Sequence, residues 1–213
     1  MPTPSFNLYL VSDRTLTGGR DLLWVLERAL EGGVNAVQLR EKDLSGRDLF
    51  ELAKKTRTLC ERYGAPLFIN DRVDVALAVD AAGVQLGKAS LPIEVARTLL
   101  GPDKLIGASI HSPEEATDAK SAGADFLVFG PVYFTPSKAS FGGPRGVSAL
   151  RKIVEVGLLP VYAIGGISTK NTAEVREAGA NGIALISSII ANENPKDAAA
   201  AMAQLLRTQL LRS

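Results

Sequence analysis

The chain has 213 residues, 46% of them hydrophobic, and its 24 basic and 23 acidic residues leave a net charge of +1. This composition excludes a disordered chain and supports one large domain or two small ones. A charge near zero gives no overall field for nucleic acid, so we expect no nucleic-acid partner, and any anion site must come from a local cluster. No window of 18 apolar residues is free of charges, so we expect no membrane span.

The cysteine content indicates the cellular compartment. Cys60 is the single cysteine, so an intramolecular disulfide cannot form and a reducing compartment fits. Its place in a helical pattern favours a buried structural thiol over a nucleophile. The opening MPTPSFNLYL lacks the basic segment and apolar core of a signal peptide. We therefore expect a soluble, cytoplasmic protein.

Eight short apolar runs recur along the chain, and longer helical patterns follow them. The runs are 6–13, 36–42, 66–71, 83–88, 105–111, 126–132, 160–167 and 182–190. The clearest helical patterns cover 21–33, 45–64, 112–124 and 168–180. Helix N-caps are predicted at Ser112, with Glu115 in the first turn, and at Ser168 or Thr169. Helix ends are predicted at Gly33, Gly64, Gly123 and Gly179.

Strands that alternate with helices predict a parallel sheet. Eight such units in about 200–250 residues predict a (β/α)₈ TIM barrel, with a doubly wound open sheet as the alternative. Polar residues inside the runs favour the barrel, because open sheets with two covered faces have continuously apolar strands. These residues are Gln38, Arg40, Lys42, Gln85, Ser109 and His111. We predict one α/β TIM-barrel domain over residues 1–213.

The active site of a barrel lies at the carboxyl ends of its strands. The residues there are mostly polar or cationic, and Arg40, Lys42, Lys88 and Lys138 predict an anionic substrate such as phosphate or pyrophosphate. The sequences AIGGIS (163–168) and LISSI (185–189) end the seventh and eighth runs, where barrels commonly bind phosphate. Gly165 and Gly166 would allow close approach of the backbone, although ordinary turn glycines are the alternative.

Three further features suggest chemistry. The sequence FTPSK (134–138) supplies Thr135, Ser137 and Lys138 to a loop that predicts a lid over 133–146, with a merely solvated loop as the alternative. Asp71 could hold Mg²⁺ with substrate phosphates, or cap a helix that starts at Arg72. His111 is the single histidine and is either an acid–base group or a structural residue.

Together these motifs resemble the family of thiamine phosphate synthase and its relative, thiazole tautomerase. The matching segments are QLREK (38–42), INDRVDVALAV (69–79), GVQLG (83–87), GASIHS (107–112), ADFLVFGPVYFTPSK (124–138), AIGGIS (163–168) and GIALISSI (182–189). The resemblance implies a TIM barrel that joins an aminopyrimidine-methyl pyrophosphate to a thiazole phosphate, with Mg²⁺ and release of pyrophosphate. A tautomerase would instead isomerise a thiazole phosphate carboxylate with His111.

The resemblance also implies roles for individual residues. It places the aminopyrimidine on Gln38 and Asn70, and the pyrophosphate on Arg40, Lys42, Asn70, Ser109 and Lys138. It places the thiazole substrate on Thr135 and Ser137, and its phosphate on Gly166, Ile186 and Ser187. It makes Asp71 one magnesium ligand. Ser90 stands where the family usually has a second magnesium-binding Asp, which keeps both activities open.

Three other predictions follow from the residues. A non-enzymatic sensor of phosphorylated ligands is the third functional class, disfavoured by the inward Arg40, Lys42, Asp71 and His111. Trp24 and the leucine-rich face of the first helix are predicted to pack between helix and barrel. The last helix, from Pro195, is predicted to cover the barrel with its Ala- and Leu-rich face, and a homo-oligomer stays open.

Overall fold

The computed structural model describes residues 3–135 and 143–208. Eight parallel strands form a closed barrel in sequential order, and β8 pairs with β1. The strands are β1 Leu8–Val11, β2 Ala36–Leu39, β3 Leu67–Asn70, β4 Gly83–Leu86, β5 Leu105–Ile110, β6 Phe126–Phe129, β7 Val161–Ile164 and β8 Gly182–Leu185. The predicted TIM barrel is therefore confirmed, and the domain limits of 1–213 stay a prediction.

Helices surround the barrel in the described part of the chain. They are α1 Leu22–Glu31, α2 Gly46–Arg62, α3 Val73–Ala78, α4 Ile93–Leu100, α5 Pro113–Ser121, α6 Val147–Glu155, α7 Thr172–Glu177, α8 Ser187–Ile190 and α9 Pro195–Thr208, with a 3₁₀ turn at Arg14–Leu16. None of the helices described is long and apolar enough to cross a membrane. Helix α9 packs on α1, α7 and α8, as its apolar face predicts.

The local signals for helix starts and ends are mostly confirmed. The Ser112 hydroxyl accepts the amide of Glu115 at 3.2 Å, so the predicted N-cap forms. The four predicted terminal glycines, Gly33, Gly64, Gly123 and Gly179, all have positive φ, which side chains rarely tolerate.

The predicted start of α7 is wrong. Instead of Ser168 or Thr169, Asn171 precedes the first helical residue, Thr172. The reason is a local turn: the Asn171 side chain accepts the amide of Ser168 at 2.8 Å, and the Thr172 hydroxyl donates to the Ser168 carbonyl at 2.7 Å. The Ser168 hydroxyl accepts the Lys170 amide at 3.3 Å, so residues 168–171 form a turn and the helix starts after it.

The prediction that Trp24 packs against the barrel is also wrong. Its side chain is 44% exposed, and the guanidinium of Arg20 lies 5.9 Å from its ring centroid. The buried face of α1 consists of Leu22, Val25, Leu26, Ala29 and Leu30. At 3.6 residues per turn, Trp24 points away from that face.

The core has two layers, and strand alternation decides which side chains enter each. Val37 and Leu39 of β2 lie in the outer layer between barrel and helices, as predicted, whereas Ala36 lies inside the barrel. Five rings fill the lower barrel interior: Phe6, Tyr9, Phe68, Phe126 and Tyr162, with centroid separations of 4.6 to 6.3 Å. This aromatic floor leaves the polar residues concentrated at the opposite end.

All eight predicted strands exist, but each is shorter than its apolar run. Strand β2 ends at Leu39, so Arg40 and Lys42 lie in the loop that follows, not in the strand as predicted. The eighth run is divided, because Ser187–Ile190 forms the short helix α8. These corrections place the charged residues on loops above a rigid barrel.

Candidate active site

A row of hydrogen-bonded side chains crosses the ends of β2, β3 and β4. Gln38 donates its amide to the Asn70 side-chain oxygen at 2.9 Å, and Asn70 donates to the Asp71 carboxylate at 2.7 Å. The hydroxyl of Ser90 donates to the other Asp71 oxygen and accepts the amide of Gly87 at 2.6 Å. Three predicted site residues, Gln38, Asn70 and Asp71, are thus brought into one network.

Asp71 has an unusual backbone conformation. Its φ is +60°, in the left-handed region that few side chains adopt, and its amide donates to the Gln85 carbonyl at 3.0 Å. Such a conformation costs about 1–3 kcal/mol and is often kept where a side chain must face a ligand. Helix α3 begins at Val73, with Arg72 as its N-cap, so the alternative that Asp71 caps this helix is wrong.

Arg40 and Lys42 follow β2 at the barrel mouth. Arg40 is half-buried and comes two residues after the inward Gln38, and its amide donates to the Ser12 hydroxyl at 2.9 Å. Lys42 is exposed in the turn beyond it. Among residues 3–135 and 143–208, the ion pairs do not include Arg40, Lys42 or Lys88. Their charges are therefore available for an anionic ligand.

Strand β5 adds two groups to the mouth. Ser109 is exposed, and its hydroxyl accepts the side-chain amide of Gln85 at 3.1 Å. The Nδ1 atom of His111 lies 2.6 Å from the carbonyl oxygen of Gly130. Because a carbonyl can only accept, Nδ1 carries the hydrogen, and Nε2 remains as an acceptor in the neutral ring.

The ends of β7 and β8 form a different wall. Gly165 and Gly166 have φ of 100° and 66°. A Cβ atom on Gly166 would lie 2.7 Å from both the Phe134 carbonyl oxygen and the Tyr133 Cβ, so glycine is required for the loop after β6 to pack here. Ser187 opens α8 directly after Ile186 and is exposed.

Some predicted residues take other roles or lie outside the described chain. The Ser188 hydroxyl donates to the Ile167 carbonyl at 2.8 Å, so it serves the fold. The Thr135 hydroxyl is buried and lacks a hydrogen-bond partner among the residues described. Ser137 and Lys138 fall outside the described residues, as does part of the predicted 133–146 lid, so these stay predictions.

Sequence reasoning missed the bonding of Glu41. This residue lies between the two cations of QLREK, yet its side chain is 3% exposed and accepts the Ser12 hydroxyl at 2.5 Å and the Arg14 amide at 3.1 Å. Burial raises the pKa of the Glu41 carboxyl, although these two hydrogen bonds oppose the shift. The alternation in QLREK already separates Glu41 from Arg40 and Lys42, and that signal could have identified it.

The donor set can be compared with the preferences of Mg²⁺. Within the described ranges, His, Cys, Asp and Glu form no group of three or more that could hold a metal. Asp71 is therefore a single carboxylate beside the neutral Ser90 hydroxyl. Mg²⁺ is often held by one or two carboxylates together with substrate phosphates, so Asp71 fits an ion that arrives with a phosphorylated ligand.

A TIM barrel with free cations, a carboxylate and amide groups at its mouth defines an enzyme that acts on anionic, phosphorylated substrates. The family model of thiamine monophosphate synthase matches residues 8–189. The chain belongs to this family.

Similar proteins are named for the same activity. A putative thiamine-phosphate synthase from Geobacter sulfurreducens is 53% identical over 206 residues, which cover 97% of each chain. A thiamine-phosphate synthase from Clostridium novyi is 41% identical and covers 94% of this chain and 98% of its own. The structure of thiamine phosphate pyrophosphorylase from Pyrococcus furiosus superposes with a TM-score of 0.88 at 42% identity, covering 96% of this chain and 97% of that one.

Proposed function

We propose that this chain is a thiamine-phosphate synthase, a transferase of thiamine biosynthesis. It couples an aminopyrimidine-methyl pyrophosphate with a thiazole phosphate and releases pyrophosphate. The observation that carries the proposal is the row Gln38–Asn70–Asp71 at the strand ends, in a chain of this family. The cations Arg40 and Lys42, unpaired among the residues described, lie in the loop that follows the strand of Gln38. The amides suit a heterocycle that offers both donors and acceptors, and the cations suit its pyrophosphate.

The reaction needs charge stabilisation more than proton transfer. When pyrophosphate leaves, the methylene carbon becomes a cation that the electron-rich aminopyrimidine delocalises, and the thiazole nitrogen then attacks that carbon. Arg40 and Lys42 stabilise the charge that develops on the leaving group, and Ser109 donates a hydrogen bond to it. Lys138 takes part in the same role, and Thr135 and Ser137 contact the thiazole. The barrel holds the two substrates in line.

The wall formed by the ends of β7 and β8, across the mouth from Arg40 and Lys42, would bind the phosphate of the thiazole substrate. Gly166 offers a backbone free of Cβ, and Ile186 and Ser187 offer the start of α8. This arrangement separates the two phosphorylated ends, so each wall of the mouth binds one.

Mg²⁺ belongs to the proposal as a cofactor held by Asp71 and the substrate phosphates. When bound, the ion would neutralise charge on the leaving pyrophosphate. Ser90 orients the Asp71 carboxylate but brings no charge of its own. Lys88 is exposed on the Gly87–Ser90 turn, and we propose that it replaces part of the missing charge.

A coupling assay tests the function. Both substrates are incubated with the protein, with and without Mg²⁺, and thiamine phosphate is measured. We expect product only with Mg²⁺, and Lys88→Ala should reduce turnover by a few-fold and raise the Mg²⁺ requirement. Unchanged turnover and Mg²⁺ dependence in Lys88→Ala would remove Lys88 from the proposal.

The same assay separates the alternatives. A tautomerase would isomerise the thiazole phosphate carboxylate without coupling and would lose that activity in His111→Ala. The similar proteins above are named as synthases, which supports coupling. A non-enzymatic sensor would bind both substrates tightly and turn over neither.

The remaining partners are also proposals. We propose a cytoplasmic enzyme without a nucleic-acid partner, because its net charge of +1 gives no polyanion field and its one cysteine, Cys60, is buried and free. A homo-oligomer can be tested by sedimentation at micromolar concentration.

A further inference from the structure

Glu41 is a buried carboxylate at the edge of the proposed pyrophosphate site. It is flanked in sequence by Arg40 and Lys42, yet its ion-pair contact is with Arg14, at 3.8 Å from Nε. Removing a carboxylate from water costs several kcal/mol unless hydrogen bonds compensate. Two hydrogen bonds compensate that cost for Glu41, so the groups that donate them indicate what this carboxylate does.

The contacts of Glu41 connect it to Arg40. One carboxylate oxygen accepts the Ser12 hydroxyl hydrogen at 2.5 Å. Because that hydrogen is used, the lone pairs of Ser12 remain for the Arg40 amide, which donates to them at 2.9 Å. Ser12 is completely buried. Glu41 therefore fixes the hydroxyl that in turn fixes the main chain at Arg40.

The other carboxylate oxygen connects two loops. It accepts the backbone amide of Arg14 at 3.1 Å, so the loop after β1 is attached to the loop after β2. The Arg14 guanidinium adds a bond of 2.5 Å to Asp43 on the same loop. The loop after β2, which carries Arg40 and Lys42, is thus held by the loop after β1.

The loop after β1 is itself anchored at its far end. Arg20 donates to the carbonyls of Asn192 at 2.6 Å and Ile190 at 2.9 Å, at the end of α8, and to Thr17 at 2.6 Å. These bonds satisfy carbonyls that a helix end leaves free. Glu41 therefore bonds to a loop that is fixed, and it transmits that position to Arg40.

We propose that Glu41 is a positioning residue for the pyrophosphate end of the substrate. Through Ser12 it sets the main chain at Arg40, and through Arg14 it holds the loop that carries Arg40 and Lys42. The inference rests on the proposed function, which assigns pyrophosphate to these cations. Glu41 does not touch the substrate.

The test measures binding of inorganic pyrophosphate with Mg²⁺ by isothermal titration calorimetry. Glu41→Gln preserves the shape but turns an amide group towards one of the two donors, so we expect pyrophosphate to bind about tenfold more weakly. Ser12→Ala should give a similar loss. The double variant should bind pyrophosphate no more weakly than the single variant with the lower affinity, because both residues act through one chain of contacts.

Asp43→Asn is the matched control. Asp43 is 61% exposed, so its pair with Arg14 adds little to the position of the loop. The change leaves the bonds from Ser12 and from the Arg14 amide to Glu41 intact, so pyrophosphate affinity should stay within about twofold. The KM for the thiazole phosphate should also be unchanged in Glu41→Gln. Circular dichroism and thermal unfolding show whether each variant has folded. If Glu41→Gln has not folded, pyrophosphate binding to Ser12→Ala tests the proposal instead.

Two results would overturn the inference. The first is that Glu41→Gln folds and binds pyrophosphate as tightly as the wild type. The other is an equal loss of affinity for both substrates that follows a lower unfolding temperature, since this indicates a structural role only. Pyrophosphate binding does not require turnover. If the wild type shows no coupling activity but Glu41→Gln still binds pyrophosphate more weakly than the wild type, the proposed function is contradicted and the positioning role of Glu41 is retained.

Discussion

The two halves of the barrel mouth, each proposed to bind one phosphorylated group, are built from different kinds of groups. The half at β2 to β5 carries side chains that form a hydrogen-bonded network around Asp71. In the half at β7 and β8, the described residues Gly166 and Ile186 offer main chain and apolar groups, beside the hydroxyl of the exposed Ser187. The half at β2 to β5, called the polar half below, is therefore built mainly from polar side chains. The half at β7 and β8, called the glycine half, is built mainly from main chain that glycine leaves accessible.

This difference predicts opposite sensitivities to mutation. On the polar half, a change of one functional group at constant shape should be severe. On the glycine half, the addition of one methyl group should be severe, although it changes no charge. The following variants test this contrast.

Asp71→Asn should have the largest effect. Asn also tolerates a φ of +60°, so the backbone is retained while the charge is lost. We expect kcat/KM for coupling to fall about a hundredfold or more. Asp74→Asn is the control, because Asp74 is exposed and pairs with Arg72. Coupling within threefold of wild type in Asp71→Asn would contradict the role of this carboxylate.

Gly166→Ala should have the next largest effect. Its methyl group would lie 2.7 Å from the Phe134 carbonyl oxygen, so the loop after β6 must move. We expect the KM for the thiazole phosphate to rise about tenfold, with little change for the pyrophosphate substrate. Gly64→Ala has a similar φ of 63° and nothing within 4 Å, so it should lose only stability, by about 1 kcal/mol. Equal kinetics in both variants would show that the close packing at Gly166 is dispensable.

Ser90→Asp adds a negative charge to the polar half and should make its function depend still more on side-chain chemistry. A second carboxylate beside Asp71 should lower the Mg²⁺ concentration needed for half-maximal activity by about tenfold. Mn²⁺ binding followed by electron paramagnetic resonance reports the same change without turnover. Ser90→Ala, which removes the hydroxyl without adding charge, should bind the metal no more tightly than wild type. If Ser90→Asp behaves like Ser90→Ala, position 90 does not contact the ion.

The smallest effect is expected in the outer core layer between the barrel and helix α2. Cys60 on α2 is buried, and burial raises the pKa of its thiol to about 12 from an ordinary value of 9.0. We expect the native protein to resist a thiol reagent at pH 8 and the unfolded chain to react. Between pH 9 and 12 the unfolded thiol ionises while the folded one does not, so stability should fall as pH rises. Cys60→Ala should remove that part of the decline, and rapid labelling of the native protein would show that this layer opens.

The sequence predicted the repeating parts of the molecule well. Eight apolar runs with period-two polar residues were enough for the barrel, because alternation directly determines which side chains face inwards. Gln38 was found for the same reason, whereas the role of Asn70 came from the family resemblance. Residues with roles that depend on tertiary partners were harder to predict. Glu41 requires Ser12 from the loop after β1, and Trp24 is exposed because five other residues of α1 already fill its buried face.

Boundaries were the other weakness. The loop with Arg40 and Lys42 continues the alternation of β2 after the pairing with β3 has ended at Leu39, and periodicity alone cannot show where pairing stops. The helix cap of Asp71 was a reasonable local alternative, but a hydroxyl from the next loop, Ser90, competes for the carboxylate. In each case a contact distant in sequence decided between two locally acceptable conformations.

The aromatic floor has a consequence for the movement of small molecules. Phe6 and Tyr162 stack at 4.6 Å between centroids, and Tyr162 donates to the Phe6 carbonyl at 2.8 Å. Among the residues described, the barrel is therefore closed at this end, and on the proposed function substrates and products pass through the mouth at the carboxyl ends of the strands. The proposed function places the aminopyrimidine on Gln38 inside the barrel and the pyrophosphate on Arg40 and Lys42 nearer the mouth. We therefore expect the aminopyrimidine substrate to bind before the thiazole phosphate, and pyrophosphate to leave before the coupled product.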